Sequence, residues 1–257
     1  MEFFIICLVS LAASALTLFS GFGLGTLLLP AFVLFFPVQA AVAMTAVVHL
    51  ANNLFKLTLI GKKADPAVAI RFGLPALGAG FAGALLLLSL AGMEPIFTYR
   101  LFGREISIYP LKLVIGLLMA LFAWVELYSP WNRLEIKPKY LPLGGVLSGF
   151  FGGLSGHQGA FRSAFLLKTG LNKEAFVGTG VVIAVLVDVS RISVYSGMLQ
   201  SPEIRDNLDL IAAAMLAAFT GAFLGRRLLA GITLRTVQLI VGILLLFISV
   251  LLILGII

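Results

Sequence analysis

Charge is scarce in this chain. Of 257 residues, 11% are Asp, Glu, Lys or Arg, and the tract from Phe3 to Pro37 carries none of them. A soluble domain has about 25% charged residues, so an ordinary soluble fold is excluded. The uncharged tract is longer than the ~20 apolar residues that cross a bilayer. Cysteine is nearly absent: Cys7 stands alone, which excludes a disulfide framework. Two histidines far apart, His49 and His157, make no zinc pattern, so no metal or other cofactor is expected. No G-x-x-x-x-G-K-[ST] loop occurs, and there is no soluble segment to hold one, so nucleotide hydrolysis does not drive this protein. No basic residue precedes the first apolar stretch, so Ala13-Ser14-Ala15 is not read as a signal cleavage site.

What is abundant is apolar: 61% of the residues. Cut at charges, prolines and glycine clusters, the apolar stretches fall at about 3–20, 24–36, 38–60, 70–92, 109–128, 141–156, 158–170, 174–198, 207–229 and 236–257. The chain also repeats itself. A slide of 135 residues sets Ser20-Gly21 on Ser155-Gly156, Ala40 on Ala175, Val42 on Val177, Asn53 on Asp188 and Lys56 on Arg191. A slide of 138 sets Ala76, Phe81, Gly83 and Ala84 on Ala214, Phe219, Gly221 and Ala222, and one of 126 sets Leu113, Gly116 and Leu118 on Leu239, Gly242 and Leu244. Offsets that keep their order along the chain are the trace of a duplicated unit with altered loops. The expected fold is therefore an all-α polytopic membrane protein of two repeats, residues 1–130 and 131–257. An odd number of segments per repeat, five, makes the second enter the bilayer from the opposite face.

Loop charges agree with both termini outside. Lys62, Lys63 and Arg71, then Arg133, Lys137 and Lys139, then Lys168 and Lys173, and lastly Arg226, Arg227 and Arg235 fall on the cytoplasmic side; Arg100, Arg104 and Arg205 remain outside, with Lys112 just within a segment. This assignment requires segments six and seven to form a hairpin that returns to its own face. Segments 24–36 and 158–170 are about 20 Å long at ~1.5 Å per residue, too short for a ~30 Å hydrocarbon core. Each follows a glycine break: Gly21, Gly23 and Gly25 in one repeat, and Gly152, Gly153, Gly156 and Gly159 in the other. Unpaired amides at such breaks must be buried in protein or line a wet cavity, the pattern of a midplane site in a secondary transporter. Tyr109, Tyr128, Tyr140, Tyr195 and Trp131 lie at segment ends, where interfacial aromatics are expected.

Polar residues within the spans are few. His49, Asn52, Asn53 and Lys56 fall at i, i+3, i+4 and i+7 on one face of segment three, and segment eight offers Asp188 and Arg191 in the places of Asn53 and Lys56. Intramembrane charges face a partner or a wet pathway. Asp188, Arg191, Lys56 and His49 thus form either an ion-coupling group or a plain i, i+3 pair beside a lysine that snorkels to its nearby helix end. His157, Gln158 and Arg162 follow the second break directly. A guanidinium beside free amides suits an anion, although an arginine capping broken-helix carbonyls has the same pattern. Three cations, Lys56, Arg162 and Arg191, stand against one carboxylate in the spans, which favours an anionic substrate. The substrate site is expected around Arg162, His157, Gln158, Asn52, Asn53, Gly21, Gly23, Gly25, Gly156 and Gly159, with Asp188 as the candidate proton-coupling group.

Ser20-Gly-Phe-Gly-Leu-Gly with Pro30, and Leu147-Ser-Gly-Phe-Phe-Gly-Gly-Leu-Ser-Gly156, each leading into an Ala/Val-rich helix, resemble the two openings of the TauE/SafE sulfite exporter family. The resemblance covers nearly the whole chain. It implies a transporter of sulfite or small organosulfonate anions, not an enzyme, in the bacterial cytoplasmic (inner) membrane; Asp188 makes protons one candidate coupling ion, which the sequence leaves open, and no nucleic-acid partner is expected. His157 to Arg162, with Ala164, stand where the family's glycine run leads towards a proline. Two rivals remain at this point. One is a passive anion channel. The other rests on Gly153-Leu154-Ser155-Gly156, which matches the G-x-S-G signature of rhomboid intramembrane serine proteases; such an enzyme needs a histidine aligned with the serine, and His157, two residues away, is not expected to align.

Overall fold

The computed structural model describes all residues except 21–23, 102, 129–135 and 229–233, together with the side chains at 17–20, 126, 225–228 and 234–238. The order of the described elements is α1 (Glu2–Ser20), α2 (Leu24–Val33), α3 (Val38–Ile60), α4 (Pro66–Ala91), β1 (Phe97–Leu101), β2 (Arg104–Ile108), α5 (Pro110–Tyr128), α6 (Leu141–Ser155), α7 (Gly159–Leu166), α8 (Lys173–Tyr195), α9 (Pro202–Arg205), α10 (Leu208–Leu228) and α11 (Leu234–Ile253). Among the described residues, three helical spans, Val38–Lys63, Pro66–Ala91 and Lys173–Tyr195, are long and apolar enough to cross a bilayer. Exposed Leu74, Leu85, Leu216, Phe223, Ile243 and Phe247 give the outside an oily surface, as suits a protein solvated by lipid.

Local chemistry sets the helix limits. Asp65 caps α4 by accepting from Val68 N–H at 2.9 Å, with Pro66 supplying the first helical residue. Asn172 caps α8 by accepting from Ala175 N–H at 2.9 Å. Gly156, at φ +81°, ends α6 in a left-handed turn that favours glycine. The two short helices are shorter than the apolar pattern suggested, with 10 residues in α2 and 8 in α7. At ~1.5 Å per residue these are about 15 and 12 Å. The pattern ran on because apolar Leu34 to Phe36 and Leu167 belong to the turns that follow.

Helices here meet through glycine. Lipid removes the hydrophobic drive for helices to associate, so close backbone approach and dispersion must hold them. On α6, a Cβ added at Gly145, Gly149 or Gly153 would run into the carbonyl oxygens of Phe72, Ala76 and Gly80 on α4, and one added at Gly83 would run into Phe150 O. Between α10 and α1, Gly221 abuts the Leu11 carbonyl in the same way. Gly116 of α5 lies against Ser249 and Ile253 of α11, while Gly242 of α11 lies against Ala123 and Leu127 of α5.

The second hairpin doubles back: Phe165 on α7 covers Gly144 on α6, and Ser148 Oγ donates to the Gln158 carbonyl at 2.9 Å. Its open end shares one end of the molecule with the α3–α4 turn. There Lys63 pairs with Glu174 at 3.3 Å, Asp65 N–H donates to Thr179 Oγ1 at 2.8 Å, and Ile136, Val68 and Phe176 pack against one apolar cluster that includes Phe72. Lys62, Lys63, Lys137, Lys139, Lys168 and Lys173 therefore gather at that end. The other end holds an element missing from the all-helical expectation. Strands β1 and β2 form an antiparallel hairpin turning at Gly103, φ +78°, whose Tyr99 hydroxyl donates to the Leu254 carbonyl at 2.6 Å and so clasps the end of α11.

Of the aromatics expected at interfaces, Tyr109, Tyr128 and Tyr140 are exposed. Trp131 lies outside the described residues. Tyr195 is a correction: it is fully buried, and its hydroxyl donates to the Gly153 carbonyl in the last turn of α6. A buried tyrosine needs such a partner, and a helix-end position does not reveal one supplied by another helix.

Candidate functional site

The two breaks meet. A Cβ added at Gly25, in the first turn of α2, would lie 3.0 Å from the Gly156 carbonyl oxygen, so the mouths of the two hairpins touch backbone to backbone. Gly25, Gly156 and Gly159 are all buried there. Gly21 and Gly23, assigned to the same site, lie outside the described residues.

Beside this contact, α3 and α8 cross and bring their polar residues together around Asp188. The carboxylate is fully buried. Its Oδ2 receives His49 Nδ1 at 2.6 Å and Asn53 Nδ2 at 2.9 Å; its Oδ1 receives Arg191 Nε at 3.0 Å and Gln158 Nε2 at 3.3 Å. Arg191 NH2 adds an ion-pair contact at 2.8 Å. A buried carboxylate is costly unless it is paired and hydrogen-bonded, and here four side chains from three elements meet that need. The i, i+3 pair read from sequence therefore exists, yet it is part of a larger hub that ties α3, α8 and the α6–α7 break.

Gln158 works in two directions. Its amide donates to Asp188, and its Oε1 accepts from Arg162 NH1 at 3.3 Å. Arg162 is 8% exposed and lies over Gly180 of α8, whose missing side chain leaves room for the guanidinium. Arg191 is wholly buried and lies against Gly156. Two arginines thus flank one aspartate along α8, with Gln158 between them.

The polar face of α3 divides in two. His49 and Asn53 turn to Asp188, but Asn52 turns the other way: the amide orientation that satisfies its neighbours points Nδ2 at Ser14 Oγ (3.0 Å) and the Ala218 carbonyl (3.3 Å), and Oδ1 at Lys56 Nζ (3.1 Å). Asn52 and Lys56 accordingly face α1 and α10, and no described hydrogen bond joins Asn52 to Arg162.

Ser155 and His157 are also closer than their spacing implied. His157 Nδ1 lies 3.0 Å from Ser155 Oγ, because the left-handed turn at Gly156 swings the imidazole back over the helix end. The serine hydroxyl donates to its own helix at Phe151 O, 3.1 Å away. Phe122 of α5 stacks on the imidazole, with ring centroids 4.8 Å apart and planes 9° from parallel, and Phe151 and Phe161 close the wall edge-on. Ser14, Ser148, Tyr195 and Phe122 are the contributors that sequence reasoning missed. Each is a common residue in an apolar helix and gains its meaning from a partner on another element.

No curated protein matches the chain. The model of the family described as Sulfite exporter TauE/SafE matches residues 6–252. The packed apolar helices, the paired glycine breaks and this match, which leaves out only the ends of the chain, make the protein an integral membrane member of the TauE/SafE family, a family of transporters of sulfur compounds.

Proposed function

We propose that the chain is a secondary transporter of small sulfur anions, sulfite or organosulfonates, working by alternating access around the meeting point of the two hairpins. The observation that carries this reading is the touching of the two breaks at Gly25 and Gly156 beside buried Asp188, which Arg191 contacts directly and Arg162 reaches through Gln158, with buried Lys56 on the other side of α3. An excess of buried cations favours an anionic ligand. Arg162, His157, Gln158, Asn53 and the backbone at Gly25, Gly156 and Gly159 bind it, while Asn52, turned towards Ser14 and Lys56, stands outside the site. Asp188, held by His49 and Arg191, carries the coupling proton, and Lys56 balances charge on the α1 side.

The inverted repeat, residues 1–130 and 131–257, is supported by exchanged contacts. Gly116 and Gly242 correspond, as do Ala123 and Ser249, and Leu127 and Ile253; each glycine packs against the other half's copy of the same two residues. Such exchange is the signature of a twofold relation. The lysines gathered at one end support a cytoplasmic α3–α4 turn, and hence both termini outside in a bacterial inner membrane. A transporter rather than a protease is supported by the Ser155 hydroxyl, whose proton is engaged within its own helix.

The test is flux in proteoliposomes against a panel of sulfite, sulfoacetate, taurine, sulfate and thiosulfate. Saturable uptake with counterflow of sulfite or a sulfonate is expected. Non-saturable conductance would make the protein a channel, and no flux of any of these anions would end the proposal.

A further inference from the structure

Arg191 has donors to spare. Its Nε donates to Asp188 and NH2 lies at ion-pair distance from the same oxygen, but neither NH1 nor NH2 has a hydrogen-bond partner, NH1 has no ion-pair contact either, and the side chain is 0% exposed. A buried unpartnered guanidinium nitrogen is rare enough to require an explanation. Capping the end of α6 is not that explanation, because NH1 bonds no carbonyl there, and Phe151 O is taken by Ser155 Oγ, Gly152 O by Gly156 N–H and Gly153 O by Tyr195. NH1 instead abuts Gly156 itself, 2.8 Å from where a Cβ would stand. The next residue, His157, is 1% exposed and carries a further orphan, Nε2.

We propose that Arg191 NH1 and His157 Nε2 together hold the oxygens of the transported anion at the Gly156 turn, making Arg191 the inner substrate ligand rather than only the partner of Asp188. This rests on the anion-transport reading above. The chemistry suits a sulfur oxyanion. A guanidinium offers charged N–H donors to oxygen. Because the Ser155 hydroxyl donates to Phe151 O, His157 Nδ1 bears the hydrogen and donates to Ser155 Oγ, so Nε2 accepts, which suits an oxygen that itself carries a proton, as in hydrogen sulfite. Both groups are closed to solvent, so the anion reaches them when one hairpin moves off the other. Arg162, joined to Asp188 through Gln158, is the outer station on the same path.

The test is sulfite binding to the purified full-length protein in detergent, by calorimetry and by sulfite-dependent thermal stabilisation. Arg191→Lys is expected to weaken binding at least tenfold. The double variant Asp188→Asn/Arg191→Gln, which removes both members of the buried pair, is expected to abolish sulfite-dependent stabilisation while keeping its melting midpoint without ligand. His157→Phe, which keeps the stack on Phe122 and leaves the Asp188 pair alone, is expected to weaken binding about fivefold. Wild-type protein that binds sulfite, with folded Arg191 variants within threefold of it, would overturn the inference and leave the transport reading standing on Arg162. If neither Arg191 variant folds, unchanged affinity in His157→Phe overturns it. Wild-type protein that neither binds nor moves any sulfur anion removes the reading beneath it.

Discussion

Asn53 Nδ2 donates to the Asp188 carboxylate at 2.9 Å, and Asp188 is the residue that replaces Asn53 when the chain is slid 135 places along itself. In the proposed inverted repeat, the two copies of one position touch where its twofold axis passes between them. The substitution of an acid for an amide at that point makes the centre of the molecule chemically one-sided.

Asp188→Asn tests what that acid does. The variant is expected to lose accumulation driven by a pH gradient while retaining some counterflow, since the amide still accepts from Arg191 but cannot carry a proton. Uptake into proteoliposomes with and without an imposed gradient measures both. Full gradient-driven uptake in the variant would make Asp188 a structural residue.

Arg162 is tested by charge and shape separately. Arg162→Lys keeps the charge and loses the planar fork, so affinity falls while transport persists; Arg162→Ala removes both. Loss of a charged hydrogen bond costs roughly 1.5–3 kcal/mol, about a ten- to hundredfold fall in affinity. The melting midpoint without anion should stay near wild type, because the one described partner lost is Gln158. Collapse of the ligand-free protein would instead make Arg162 a structural brace.

Topology is open to impermeant thiol labelling in a Cys7-free background. Single cysteines replacing Lys63 and Lys173, and Leu228, are expected to label only after permeabilisation, and one replacing Arg104 to label from outside. Outside labelling at position 228 or 63 in intact cells contradicts the inverted repeat.

Gly149→Ala should be far worse than its size suggests. The added methyl meets the Ala76 carbonyl and forces α4 off α6. Overpacking of this kind costs about 1–3 kcal/mol, readable as a fall in melting temperature. Gly78→Ala on the same α4, with nothing within 4 Å of the new Cβ, is the control and should be neutral.

Ser155 is expected to resist fluorophosphonate labelling, because it is 1% exposed and its proton is engaged by Phe151 O. Covalent modification at Ser155, found by mass spectrometry, would revive intramembrane hydrolysis.

Much of this architecture is legible before any coordinates. Charges and glycines bracket the spans, so α3 begins and ends where Pro37 and Gly61 put it. The Asp188–Arg191 pair follows from helical spacing alone. Other features arise only between elements. That His49 reaches Asp188, and that Asn52 turns away to Ser14, depends on how α3 crosses α8, α1 and α10, which no single-helix pattern encodes. Ser155 and His157 are too close in sequence to align on a continuous helix, which spacing arguments assume, and Gly156 breaks that helix. The β1–β2 hairpin is short and lies in a connection, where apolar periodicity has little to mark.

The glycine seams also govern the order in which the protein can be built. Helix α4 closes on α6, and α1 closes on α10, so each hairpin is gripped by a helix from the opposite half of the chain. As synthesis proceeds from the N-terminus, α1 and α2 enter the membrane long before α10 exists, and the small-residue stripe of α4 stays open until α6 arrives. The first half must therefore wait, unlatched, for the second. Neither half has a finished interior of its own, and a truncation that spares every residue of one hairpin still removes the helix that holds it.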